Sequence, residues 1–151
     1  MSGGIPTRVE DFAQYLAQFQ ESCGFADISQ TLRLEASGAD GETVSMRMPL
    51  RDEVAQPNGM YAAAALFGLA DITGTFLAMQ AYAGSGQFPL AVQSSQNYLS
   101  NSKAEHAVAT ARLLRGGSSV CVVEVHVRDT TEKLLMHATF TYVIKERPLG
   151  R

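Results

Sequence analysis

The sequence predicts an α+β domain in which a curved antiparallel sheet wraps one long central helix. Three observations predict it: an almost wholly apolar run from Met60 to Met79 at helical period, two alternating segments before it, and four strand-like segments joined by short turns after it. A helix that is apolar nearly all round needs cover on most sides, and a strongly curved sheet supplies that cover. With 151 residues, 46% hydrophobic and 18% charged, the chain suits one domain spanning 1–151.

The first element is an amphipathic helix over about residues 7–23. Thr7 and Glu10 have capping-box spacing, and Phe12, Leu16, Phe19 and Cys23 follow on one face. Thr31 to Ala36 and Thr43 to Met48 alternate polar and apolar residues around Ser37-Gly38-Ala39-Asp40-Gly41, which predicts a hairpin. A loop with Pro49 and Pro57 leads to the central helix, and Ala83-Gly84-Ser85-Gly86 breaks the helical pattern beyond it. Strands are then expected over Leu90–Leu99, His106–Arg115, Ser119–Arg128 and Lys133–Ile144, with turns at Gly116-Gly117 and Asp129 to Glu132. No repeat or low-complexity tract interrupts this order.

Asp71 is the one charged side chain in the central run. Leu69, Ile72, Phe76 and Met79 share a helix face, and Asp71 lies on another stripe with Ala64, Gly68 and Thr75 one and two turns away. The carboxylate therefore stands in a line of small residues with space before it. Gly68 and Gly74 each cost a helix about 1 kcal/mol relative to alanine, which implies close approach by a ligand or a packed neighbour. A lone carboxylate among apolar residues is costly to bury, so its presence points to function rather than to a salt bridge placed mid-helix.

Other classes fall away on similar grounds. Twenty residues would cross a bilayer, but a central Asp costs about 2.5–3.5 kcal/mol on insertion scales, and the flanks lack a Lys/Arg cluster. Met1 to Thr7 shows no secretory signal pattern, so a cytoplasmic protein that neither spans nor binds a membrane is expected. Net charge is −3 with interspersed signs, unlike the basic face of a nucleic-acid binder. Cys23 and Cys121 form no disulfide framework, and His106, His126 and His137 lie scattered without metal-ligand spacing, so no metal site is expected.

Helix, two strands, a long buried helix and four further strands make the arrangement of a hotdog fold. Leu66-Phe67-Gly68-Leu69-Ala70-Asp71-Ile72-Thr73 resembles the central-helix signature of hotdog acyl-CoA thioesterases of the phenylacetate-pathway (PaaI-like) type. Asn97-Tyr98-Leu99, Arg112-Leu113-Leu114-Arg115-Gly116-Gly117-Ser118-Ser119 and Val123-Glu124-Val125-His126-Val127-Arg128-Asp129 are similar to the family's next segments in order. The similarity runs from about Asn58 to Ile144 and implies that Asp71 is the catalytic carboxylate. Family members usually open this helix with His-Gly-Gly, whose positions here are Ala62, Ala63 and Ala64, and the resemblance gives the Ala63 N–H an oxyanion role. A family Ser or Thr early in the following strand falls at Ala91.

Thioester hydrolysis needs a group that activates water or attacks the acyl carbon, and donors where the carbonyl oxygen becomes negative. Asp71 meets the first need as general base or nucleophile. The first turn of the helix meets the second, because its N–H groups lack intrahelical partners. Asn58 is a side-chain donor or a helix cap, and Gly59 frees the turn it closes. Gly59, Ala62, Gly68, Thr75, Ser94 and Ser95 are the expected acyl-binding positions, although alternation alone makes Ser94 and Ser95 ordinary strand residues. Lys103, Arg112 and Arg115 are candidates for the coenzyme A phosphates, or else solvated edge charges. The thioester is itself the substrate, and no separate cofactor is expected.

Hotdog relatives close their unpaired sheet edge by joining two subunits, so the resemblance implies a homodimer or homotetramer, with the Asp71 stripe facing a partner that contributes residues around Gln93 to Gln96. A non-catalytic acyl-CoA-binding protein is the alternative function. A hydratase ranks third, because no Asp-plus-His pair opens the helix.

Overall fold

A computed structural model of the chain describes residues 4–82 and 87–146. The expected break at Ala83 to Gly86 lies outside the described residues. The element order is α1 Val9–Cys23, α2 Ile28–Thr31, β1 Glu35–Ala39, β2 Thr43–Pro49, a 3-10 turn Asp52–Val54, α3 Ala63–Ala81, β3 Gln87–Tyr98, β4 His106–Gly116, β5 Val120–Asp129 and β6 Leu134–Glu146. The strands form one six-stranded sheet in the order β1-β2-β4-β5-β6-β3, antiparallel at every pairing.

Alternation in the strands selects the helix-facing side. Val44, Met46 and Met48 of β2, Val123, Val125 and Val127 of β5, and Met136, Ala138, Phe140 and Tyr142 of β6 are buried in one core with α3. Ala107, Ala109 and Ala111 of β4 are also fully buried, and their small side chains let the helix lie close to the sheet. Leu69, Ile72, Phe76 and Met79 are buried as one face, as the period predicts. Helix α3 is long and apolar enough to cross a membrane, but here it forms the core of the wrapped sheet.

Phe12 and Leu16 of α1 are buried, and Phe12, Tyr15 and Phe19 all meet Phe76 edge-on at centroid distances of 6.2, 6.2 and 5.2 Å. Edge-to-face aromatic pairs add to area burial, so one ring of α3 anchors the whole first helix.

Four expectations need correction. The Thr7–Glu10 capping box does not form: Arg8 is the N-cap, gives no side-chain cap bond, and instead pairs with Asp11 at 3.1 Å. The central helix begins at Ala63 rather than Met60, because residues 60–61 close a turn in which Gln56 N–H bonds Met60 O at 2.8 Å. Residues 28–31 form a short helix capped by Asp27, and Arg33 has φ 54°, so the first strand starts at Glu35 rather than Thr31. The hairpin turn is also narrower than Ser37–Gly41: β1 runs to Ala39, and Asp40 Oδ1 accepts from the N–H groups of Glu42 and Thr43 at 2.9 and 2.7 Å.

Candidate active site

Asp71 sits half-buried at the middle of α3, and among the described residues no hydrogen bond or ion pair reaches its carboxylate. Burial alone raises its pKa above the ordinary value, which makes it a stronger base than a free carboxylate. Its backbone is held firmly. The Thr75 hydroxyl donates to Asp71 O at 2.8 Å and the Tyr142 hydroxyl donates to the same oxygen at 3.1 Å. Tyr142 is fully buried, and burial pushes its phenol well above the usual range, so it acts as a fixed donor.

Gly74 makes this contact possible. A Cβ there would lie 2.7 Å from the Tyr142 hydroxyl, closer than packed atoms approach. The phenol therefore reaches the helix backbone through the space that the missing side chain leaves. Tyr142 has no motif around it in the sequence. Its place in the alternation of β6 marks only a core residue, and the hydroxyl contact depends on the fold.

Gly68 and Thr75 are more fully occupied than the sequence suggests. A Cβ on Gly68 would meet Leu32 Cδ1 at 2.9 Å, so a leucine of this chain covers that glycine. Thr75 spends its hydroxyl hydrogen on Asp71 O, with Tyr142 Oη 3.4 Å away.

The start of α3 is a second locus. Ala62 is the N-cap, and its carbonyl accepts from Ala65 and Leu66, so the N–H groups of Ala63 and Ala64 are the first-turn donors without an intrahelical acceptor. Their side chains are exposed. Asn58 does not cap the helix: its Oδ1 accepts from Met60 N at 3.0 Å, closing a turn in which Gly59 has φ 82°. Asn58 itself is exposed. Lys103 lies beside Gly59, with Nζ 3.7 Å from where a Cβ would be.

A buried polar network fixes this end. Ser102 donates to Asp129 Oδ2 at 2.6 Å and accepts from Ala104 N at 2.9 Å. Asn101 Nδ2 donates to Tyr61 O, and Tyr61 Oη donates to Ala104 O, each at 2.9 Å. Burial alone would raise the Asp129 carboxyl, but donors from Ser102, Thr131 and Lys133 outweigh it and hold the pKa at about 2. From the sequence, Asp129 reads only as part of a turn.

The three residues expected to act together, Asp71, Asn58 and Ala63, do not converge within one chain. Eight residues of helix separate Ala63 from Asp71, about 12 Å at 1.5 Å per residue. The cationic candidates also divide. Lys103 precedes β4 near the start of α3, whereas Arg112 and Arg115 lie toward the far end of β4, with Arg112 paired to Glu124 at 3.2 Å. Arg112 is thus an ion-paired strand residue.

On β3, register sets Ser94 opposite the buried Phe140, on the helix side, and Ser95 opposite Thr139 on the outer side. Ala91 opposes Tyr142, next to a bulge at residue 92. Among the described residues no strand lies beside the outer edge of β3, and Val92, Tyr98 and Leu99 are 60%, 45% and 56% exposed. A groove of ≈ 560 Å³ lies on the outer face of the sheet beside His126 and Arg128.

The histidines are not all scattered. The β5–β6 register puts His126 directly opposite His137, and Glu124 lies on the same face two residues before His126. A short hairpin centred near Thr131 folds position 137 back onto 126, a relation the sequence carries only once the register is known.

Fold and site define a hotdog-fold protein with an acidic residue midway along its wrapped helix. The chain belongs to the thioesterase superfamily, whose sequence profile matches residues 58–136, more than half of the 151 residues. The structure is similar to thioesterase HI1161 from Haemophilus influenzae, with TM-score 0.81 and 17% identity over 97% of this chain and 96% of that one. It is also similar to a mutant of thioesterase PA1618 from Pseudomonas aeruginosa, with TM-score 0.81 and 18% identity over 89% and 94%. The PaaI protein of the E. coli phenylacetic acid degradation operon matches with TM-score 0.76 and 14% identity over 97% and 100%. A search of curated proteins finds no match.

Proposed function

We propose that this protein is an acyl-CoA thioesterase in which Asp71 acts as general base or nucleophile on a small to medium acyl or aryl thioester. The observation that carries the reading is the half-buried, unpaired Asp71 carboxylate, raised in pKa by burial and anchored through its own carbonyl by Tyr142 and Thr75. Membership of the thioesterase superfamily supports the reaction class.

The active unit in this reading is a homodimer. The Ala63 N–H and the Asp71 carboxylate stand about 12 Å apart along one helix, too far for both to act on one carbonyl group. Pairing two chains along the open edge of β3 would set the helix start of one against the Asp71 of the other, and would bring Ser94 and Gln96 to the junction. The first-turn donors then stabilise the oxyanion while Asp71 activates water or attacks the acyl carbon. This reading assigns Lys103, beside Gly59, to a phosphate of coenzyme A.

One observation favours a second reading, acyl-CoA binding without hydrolysis: alanine fills positions 62, 63 and 64, so the helix start offers backbone donors but no side-chain donor. Thiol release from a panel of aliphatic and aromatic acyl-CoAs, run beside a binding titration with the same compounds, separates the two. Turnover supports hydrolysis, binding without turnover supports the second reading, and neither binding nor turnover rejects both.

A further inference from the structure

The outer face of the sheet carries a constellation that the thioesterase reading does not use. One potential ligand atom from each of Glu124, His126 and His137 lies within 4.8 Å of the others. Glu124 Oε1 is 3.6 Å from His126 Nδ1, and Glu124 Oε2 is 3.6 Å from His137 Nε2. These separations exceed good hydrogen bonds, yet they approach the spacing of about 3.3 Å between ligands around a tetrahedral zinc with bonds near 2.0–2.1 Å. The rings are 4.8 Å apart between centroids and tilted by 53°, so they are not stacked parallel.

We propose that Glu124, His126 and His137 form a binding site for a zinc-class divalent cation on the outer face of β5 and β6. Two imidazoles and one carboxylate are a donor set suited to that class, and three protein ligands leave a position for water or an anion. The scaffold holds these donors firmly, because they lie on two hydrogen-bonded strands within the sheet, with His126 and His137 a directly opposed pair. His126 also lines the ≈ 560 Å³ groove with Thr110 and Arg128, so the remaining position is accessible. Arg112 competes, since its Nε holds Glu124 Oε1 at 3.2 Å.

Zinc titration of the tag-free protein, followed by calorimetry, tests the site without reference to hydrolysis. The expected result is one zinc per chain, with affinity falling at least tenfold in His126→Ala and in His137→Ala. Arg112→Ala should tighten binding by freeing Glu124 Oε1, while Cys23→Ser and His106→Ala should leave it unchanged. Thermal melts confirm that each variant is folded, as expected for changes on an outer face. No binding by the wild type at micromolar zinc, or full affinity in either folded histidine variant, overturns the site.

Discussion

Among single residues, Asp71 differs from other carboxylates of the chain in what surrounds it. Its pKa is raised by burial, so the folded state prefers the protonated acid. Its contribution to stability is fully present below the unfolded carboxyl pKa and is lost as pH rises through the higher folded value. Asp71→Asn removes that loss, and thermal melts at pH 7 should find the variant at least as stable as wild type. Asp129 has the opposite sign. Its folded pKa of about 2 lies below the ordinary value of 3.8, so its stabilisation is present above the unfolded pKa and is lost as pH falls through the folded one. Acid titration of stability should therefore be shallower in Asp129→Asn, whose melting temperature at pH 7 also falls. Tyr142 is a positioning residue: Tyr142→Phe removes a hydrogen bond worth about 1 kcal/mol and should lower kcat by about fivefold with KM little changed. An equal rise in KM would assign Tyr142 to substrate binding instead.

Among the elements, the central helix shows how much was legible. Its length, buried face and lone carboxylate follow from spacing, because an apolar run with a 3.6-residue period leaves few alternatives. The four later strands were legible to within a few residues, because alternation and glycine-bearing turns mark them. The short elements were not. Helix α2 spans four residues, too few for periodicity, and only Asp27 marks its start. The purpose of Gly74 was also hidden, since the atom it admits is 68 residues away in sequence and belongs to an unremarkable tyrosine of β6. Gly74→Ala should destabilise the protein, because overpacking at about 1–3 kcal/mol outweighs the helix-propensity gain of about 1 kcal/mol. The melting temperature should fall by about 2–4 °C per net kcal/mol, measured by calorimetry.

At the scale of the whole molecule, the described residues leave a long open sheet edge. Strand β3 runs for 12 residues with exposed Val92, Tyr98 and Leu99 at or just beyond it, features that native proteins cover or charge to avoid uncontrolled pairing. Sedimentation should find a homodimer at least. Val92→Asp places charge on that edge and should shift the protein toward monomer, with hydrolysis lost although Asp71 is intact. A folded, fully active monomeric variant would place both halves of the site within one chain, against the 12 Å separation expected along α3 at about 1.5 Å per residue. The resemblance alone implied a partner at the site, because spacing along a helix sets distances within one chain and says nothing of a second.

The proposed function stands or falls on Asp71 performing the hydrolysis. The decisive measurement is steady-state thiol release from the best acyl-CoA of the panel, for wild type and Asp71→Asn side by side. A loss in kcat of about a hundredfold or more is expected in a variant that remains folded and dimeric, in line with removal of a general base. In wild type, the rate should fall as acid protonates Asp71, at a pH above the usual carboxylate range. Turnover within a few-fold of wild type in Asp71→Asn would contradict a catalytic role for this carboxylate.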